Sequence, residues 1–368
     1  MLSRQMTALR ILVTGAAGLI GGEVATRLAA RGHRVSALVH RNPDVRGNDG
    51  RAPILYAVLH GDVAQPRFGL GDFDAVASEH DLLIHCAATT RFDLKDDEYR
   101  ATNVAGAEHA IDLARAGGMA LLHISTAFVC GRRDGAIWEN DPLPASGFAN
   151  GYEASKAQGE ALVAASGLRH AIARPSVVVG DSATGAIRTF GAIYAAFKLI
   201  AEGRVRHMAA SAEATIDFVP IDHVAAGIVA LAENMAAAHG GRYHLVSAQP
   251  VPVALFAAAI GAYPHFHAPA LVTPERFDPA ALPPLERRLY TRVAGLYSSY
   301  FQRNPRFDDT RFRALTGLTC PPTGAAYLAR LIDHCLAVGF LSGNAHASRS
   351  WPNGIVNDAS TPNSPGSR

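Results

Sequence analysis

The chain has 368 residues, 49% of them hydrophobic and 18% charged, enough apolar material for one large core or two unequal ones. Its 34 basic and 32 acidic side chains leave a formal net charge of +2, too small to seek phosphate strongly, which argues against nucleic acid as the main partner. The 16 histidines are scattered, with no HExxH or paired CxxC/HxxxH spacing, so no metal site is expected.

Cys86, Cys130, Cys320 and Cys335 lie too far apart to read as a disulfide framework, which points to a reducing compartment. Met1 to Arg10 carries charge but no apolar stretch of the kind a signal peptide needs. No uninterrupted apolar run reaches the ~18 residues of a membrane span. A soluble, cytoplasmic protein is the expectation, with its oligomeric state, monomer or dimer, left open.

In chain order, strand-like and helix-like patterns alternate, the signature of a parallel sheet covered on both faces. Ile11 to Thr14 reads as a buried strand, Gly18 to Arg31 as a helix, and Val35 to Val39 as a second strand. A third strand is expected within Ala52 to Leu59, a fourth at Leu82 to His85 and a fifth at Ala120 to Ile124, the last after a helix from about Asn103 to Ala116. Ala171 to Val179 reads as a single sixth strand. Beyond Gly180 the rhythm weakens: a helix over Ile187 to Glu202, a short strand at Thr215 to Val219, a helix over Asp222 to Ala236, a strand at Tyr243 to Val246. Within Leu285 to Phe301, helical spacing aligns Leu285, Leu289, Val293, Leu296 and Tyr300 on one side, away from Arg287, Arg288 and Arg292. The fold class expected is α/β, a Rossmann-type doubly wound parallel sheet with a smaller, mostly helical C-terminal substrate region. Residues 1–250 would form the dinucleotide-binding domain, with substrate-side insertions after 180, and 251–341 a cap. The Ser/Asn/Pro/Gly-rich tail, 342–368, is expected to be disordered.

Thr14-Gly15-Ala16-Ala17-Gly18-Leu19-Ile20-Gly21 places glycines at GxxGxxG spacing between a strand and a helix. Gly15 permits the tight turn, Gly18 lets backbone approach a pyrophosphate, and Gly21 lets helix and sheet pack closely. The helix N-terminus adds amide donors and positive dipole. The second strand is followed by His40 and Arg41, not by the carboxylate that would bind a ribose 2′-hydroxyl, and a guanidinium there suits a 2′-phosphate. NADP(H) is therefore favoured over NAD(H). Asp62 has two readings, acceptor from the adenine amino group or turn stabiliser.

Tyr152 and Lys156 have YxxxK spacing, which puts phenol and ammonium on one face of a helix. An adjacent ammonium favours the phenolate and eases proton exchange. A hydroxyl that orients a carbonyl is expected at the end of the fifth strand, with Thr126 the first choice and Ser125 the second. Asn103 is either an N-cap or an anchor for water near Lys156.

These residues resemble the extended short-chain dehydrogenase/reductase family, whose catalytic group is Thr or Ser, Tyr and Lys. Four further stretches resemble its male-sterility branch, which holds fatty acyl-CoA reductases and carrier-protein thioester reductases. They are Gly61-Asp62-Val63-Ala64-Gln65-Pro66 with Gly69-Leu70, His85-Cys86-Ala87-Ala88 with Phe92-Asp93, His123 to Val129, and Arg174 to Asp181. The resemblance implies Thr126, Tyr152 and Lys156 as catalytic, with Asn103 in support. It also implies cofactor contacts at Ala17, Leu19, Ile20, Val63, Ala87, Ala88, Pro175 and Val178, besides the three glycines, Arg41, Asp62, Tyr152 and Lys156, the last holding the nicotinamide ribose. The function it implies is NADPH-dependent reduction of an acyl thioester or related carbonyl to aldehyde or alcohol, the substrate carried on coenzyme A or an acyl carrier protein. Two rivals stand beside it: a dehydrogenase or epimerase of a sterol-like or sugar-nucleotide alcohol, and a non-catalytic NADP-binding regulator.

Overall fold

The computed structural model describes residues 8–343; the charged N-terminal stretch up to residue 7 and all but the first two residues of the expected disordered tail lie outside them. Seven parallel strands form the central sheet: β1 (Arg10–Thr14), β2 (Arg34–Val39), β3 (Ala57–His60), β4 (Leu82–His85), β5 (Ala120–Ile124), β6 (His170–Pro175) and β7 (Arg242–Leu245). Their spatial order is β7-β6-β5-β4-β1-β2-β3. Ile11 pairs with Val35 on one side and Leu82 on the other, so the order reverses between β1 and β4. Open α/β sheets bind ligands in the crevice at such a reversal.

The central strands are apolar runs because both faces are covered. On one face α1 (Leu19–Ala30) supplies Val24 and Leu28 to the core. On the other, α2 (Ala105–Gly117) and α3 (Gly151–Ala165) bury Ala110, Leu113 and Val163 against Leu12, Leu83 and Leu121. The layer that the sequence reading assigns to the substrate side consists of α4 (Ala192–Ala201), α6 (Val253–Gly261), α7 (Pro284–Arg292) and α9 (Ala325–Ala337). Between α4 and α6, α5 (Ile221–Glu233) returns to the sheet beside α1, and α8 (Thr310–Thr316) buries Phe312 in that same core. The packing therefore does not divide at residue 250: Tyr194, Phe218, Phe256 and Tyr327, from both sides of it, share one core.

Five expected elements differ from those observed, one being the short 215–219 strand, which splits at Asp217 into Thr215–Ile216 and Phe218–Pro220. The sixth strand breaks at Ser176, and Val177–Val179 pairs instead with Phe218–Pro220. Buried Asp217 causes the break, accepting from Ser176 Oγ at 2.5 Å and from the Ser247 amide at 2.8 Å. The third strand is only Ala57–His60, with Ile54 94% exposed ahead of it. The expected 187–202 helix starts at Ala192; ahead of it the Ile187 and Arg188 amides donate to the His334 and Asn48 side chains at 3.2 and 2.9 Å. The 285–301 helix ends at Arg292 and continues as a 3-10 segment, Ala294–Phe301. Leu285 is 69% exposed, and the side turned inward carries Glu286, which accepts from the Arg206 and His207 amides at 2.7 and 2.9 Å.

Candidate active site

The β1–α1 turn is closed by the Gly18 amide donating to the Gly15 carbonyl at 2.9 Å. Gly15 has φ +64°, and a Cβ there would lie 2.8 Å from the Ala87 backbone; one on Gly21 would run into the Gly15 carbonyl. These positions need glycine. Gly18 caps α1 without a side chain, which leaves the first-turn amides at Leu19, Ile20 and Gly21 for a ligand. The Ala87 amide donates to Thr14 Oγ1 at 3.2 Å, so the β4 loop lies against the turn and brings Ala87 and Ala88 to it. The cradle fits the diphosphate of a dinucleotide.

Arg41 is exposed just past β2 and forms no ion pair among the described residues. Asp62 Oδ1 accepts from the Ala64 amide at 2.9 Å, the turn-stabilising geometry, while Oδ2 faces His40 at 3.7 Å. Val63 is buried and backs Gly106 of α2. Pro175 and Val178 flank the break in the sixth strand.

The residues expected to be catalytic meet at the C-terminal end of β5. Thr126 caps the 3-10 turn Ala127–Cys130, accepting from the Phe128 amide, and its Oγ1 donates to the Pro175 carbonyl at 3.3 Å. Its hydroxyl also lies near enough to the Tyr152 phenol to pull that group's pKa downward. Asn150 starts α3 by accepting from the Glu153 amide at 2.9 Å, which sets Tyr152 in the first turn and Lys156 one turn later. Buried Lys156 donates from Nζ to the Ile124 carbonyl at 2.6 Å. Ser125 is buried with no partner for its hydroxyl. Of the two expected hydroxyls, Thr126 is the one on the phenol.

Burial pushes the Tyr152 phenol up to about 12, with the Thr126 hydroxyl working against it. Burial lowers the Lys156 ammonium to about 8, against smaller upward effects from Cys86 and Glu160. Behind Lys156, the His85 and His123 rings stack at 5.5 Å. Burial holds His85 down at about 3 and His123 well below 6.5, with Lys156 adding to both. Two neutral imidazoles thus back the ammonium. Among the described residues no cluster suits a metal ion.

Asn103 is not an N-cap. It lies in a π turn, Arg100–Val104, that joins Asp96–Tyr99 to α2, a distortion common at functional sites. Its Oδ1 accepts from the Thr89 amide at 2.9 Å, and its Nδ2 donates to Ser155 Oγ at 2.9 Å and the Thr89 carbonyl at 3.1 Å. The side chain therefore ties the β4 loop to the helix carrying Tyr152 and Lys156.

Three features went unforeseen. Phe92 stacks on Tyr152 at 5.5 Å, roofed in turn by Tyr297 and Tyr300 at 4.9 and 5.8 Å. Glu153, fully buried, accepts from Arg303 Nη2 at 2.9 Å and the Ala149 amide at 2.9 Å, locking the cap region to the first turn of α3. Arg188 reaches over the glycine-rich turn to the Ala17 and Gly18 carbonyls at 3.3 and 3.2 Å. The YxxxK motif contains Glu153, but the two arginines have no local signal, since their partners lie 150 or more residues away.

The profile of an NAD-binding family described as male sterility protein matches residues 13–228. The 3-diazoavenalumate denitrifying reductase of Streptomyces sp. is 30% identical over 288 residues, 75% of this chain and 86% of that protein. A 4-hydroxy-2-methyl-3-oxo-4-farnesyl-3,4-dihydroquinoline-1-oxide ketoreductase of Stigmatella aurantiaca is 33% identical over 184 residues, 48% of this chain and 52% of that protein. The match thus spans about half the length of the Stigmatella enzyme, and a far smaller part of several multidomain synthetases. In structure, the terminal R domain from the myxalamid PKS-NRPS biosynthetic pathway aligns with a TM-score of 0.76 at 26% identity, covering 91% of this chain and 92% of that one. The chain belongs to the male sterility protein family, in the thioester-reductase-like branch of the extended short-chain dehydrogenases/reductases.

Proposed function

We propose that this protein is an NADPH-dependent reductase of an acyl thioester, presented on coenzyme A or on an acyl carrier protein, or of a related carbonyl. The observation that carries the reading is the convergence of Thr126, Tyr152 and Lys156 at the end of β5, beside the glycine-rich turn at the sheet's reversal. When bound, the reduced nicotinamide supplies a hydride to the substrate carbonyl carbon. Thr126 and Tyr152 hold the carbonyl oxygen, and Tyr152 gives it a proton as negative charge develops. The Lys156 ammonium, fixed on the Ile124 carbonyl, stabilises the phenolate left behind. The resulting hemithioacetal loses its thiol to give an aldehyde, which is either the end product or, with a second NADPH and a reprotonated Tyr152, the precursor of the alcohol. Asn103 acts here by holding α3 against the β4 loop.

An apolar acyl group is favoured over a sugar nucleotide by the substrate-side layer. It holds an apolar pocket lined by Val179, Phe197, Phe256, Phe301, Leu328 and Leu331, among others. Such a surface suits hydrocarbon and leaves hydroxyls without partners. The likeness to a terminal R domain supports delivery on a carrier, and the four free cysteines suit a reducing cytoplasm. Among the described residues, no helix is long and apolar enough to cross a membrane. The phosphate-bearing cofactor is favoured by Arg41, exposed past β2 where a carboxylate would mark NADH.

The test is oxidation of NADPH with a panel of acyl-CoAs, acyl-carrier thioesters, aldehydes and ketones. Thioester-dependent loss of reduced-nicotinamide absorbance is the expected result; turnover of ketones alone contradicts the thioester assignment. In the same assay Arg41→Asp shifts preference toward NADH.

A further inference from the structure

Arg188 stands in an electrostatically unfavourable place. Its Nη2 donates to the carbonyls of Ala17 and Gly18, and Gly18 is the N-cap of α1. A guanidinium is thus held at the positive end of a helix dipole, where anions are stabilised and cations are not. No carboxylate pairs with Arg188 among the described residues. Glu23, the acidic residue of α1, is engaged by Arg27 Nε at 2.7 Å and by the Asn48 amide at 2.6 Å. The Arg188 Nε is buried and has no hydrogen-bond partner, an expensive condition for a charged donor.

The arginine is also held firmly. Its amide donates to Asn48 Oδ1 at 2.9 Å, and Asn48 Nδ2 donates to the Ala186 carbonyl at 2.9 Å. The adjacent Ile187 amide donates to His334 Nε2 at 3.2 Å. The turn before it packs Gly185, with φ +72°, so closely on α9 that a Cβ there would lie 2.8 Å from the Leu331 amide nitrogen. A guanidinium fixed beside a helix N-terminus, with an unused donor of its own, makes an anion site.

We propose that Arg188 is a phosphate-binding residue of the dinucleotide site, supplied by the substrate-side layer to the glycine-rich turn. This rests on the dinucleotide reading of that turn. The phosphate is either the pyrophosphate common to both nicotinamide dinucleotides or the 2′-phosphate of NADPH alone. In either position Arg188 closes the site from above, coupling occupancy of the turn to the layer that carries the acyl cavity.

The experiment measures dissociation constants of NADPH and NADH for the wild-type chain, Arg188→Met and Arg188→Lys, from the change in reduced-nicotinamide fluorescence. Melting temperatures of the ligand-free proteins are measured alongside. Loss of the charge-assisted bonds predicts weakening by roughly 10- to 100-fold in Arg188→Met, with Arg188→Lys intermediate. Equal weakening for both dinucleotides places the guanidinium on the pyrophosphate; weakening for NADPH alone places it on the 2′-phosphate. If the wild-type chain binds and both constants stay unchanged in the variants, Arg188 is only a structural latch and the proposal fails. If Arg188→Met does not fold, Arg188→Lys decides by the same criterion. Should the wild-type chain bind neither dinucleotide, the reading of the turn falls, and the role of Arg188 with it.

Discussion

Replacing Arg303 by Met removes the cation that faces Glu153, and the structure sets the size of the effect. Both side chains are almost wholly withdrawn from water, at 6% and 0% exposure. Arg303 also donates from Nη1 to the Gly131 carbonyl at 3.0 Å and lies 4.8 Å from the centre of the Tyr300 ring. Removing one member of such a pair leaves the other charge buried and uncompensated, at a cost of about 3–5 kcal/mol. At about 2 °C per kcal/mol for a domain of this size, the melting temperature falls by roughly 6–10 °C. Calorimetry or thermal circular dichroism of Arg303→Met measures this. Glu153→Gln combined with Arg303→Met removes both charges and is expected to be less damaging than Arg303→Met alone. Because Glu153 follows Tyr152, the single variant also loses turnover through misplacement of the phenol. A loss below about 1 kcal/mol, the range of exposed pairs, would refute the reasoning.

Three further predictions follow from the site. Lys156, lowered to about 8, keeps its ammonium only below that pH, so turnover falls as pH rises through about 8, and Lys156→Met lacks this limb. Between about 8 and 10.5 the unfolded chain holds the extra proton, so the contribution of Lys156 to stability rises with pH there, measurable by denaturant titration against Lys156→Met. Gly21→Ala puts a methyl group into the Gly15 carbonyl; fluorescence titration should show NADPH binding lost, while far-UV circular dichroism keeps the folded spectrum.

How far the sequence could be read depended on the range of the interactions involved. The β1–turn–α1 unit and the Tyr152/Lys156 pair are local patterns, set by glycine conformation and by helical spacing, and both are present as expected. Thr126 is one residue from Ser125, and only the three-dimensional placement of the phenol separates them. Apolar periodicity misled at Leu285, because the buried face there is chosen by Glu286 satisfying the Arg206 and His207 amides, some 80 residues back in the chain. The break at Ser176 arises in the same way, from the Asp217 carboxylate 41 residues on. Arg188 and Arg303 belong to the site through contacts spanning 171 and 150 residues, beyond any local pattern.

The most direct measurement is single-turnover reduction of an acyl-CoA by Tyr152→Phe with NADPH bound. Removing the phenolic proton donor predicts a rate lower by roughly 10²- to 10⁴-fold. A Tyr152→Phe protein that reduces its substrate at the wild-type rate would contradict the assignment of Tyr152 as the group that protonates the carbonyl oxygen.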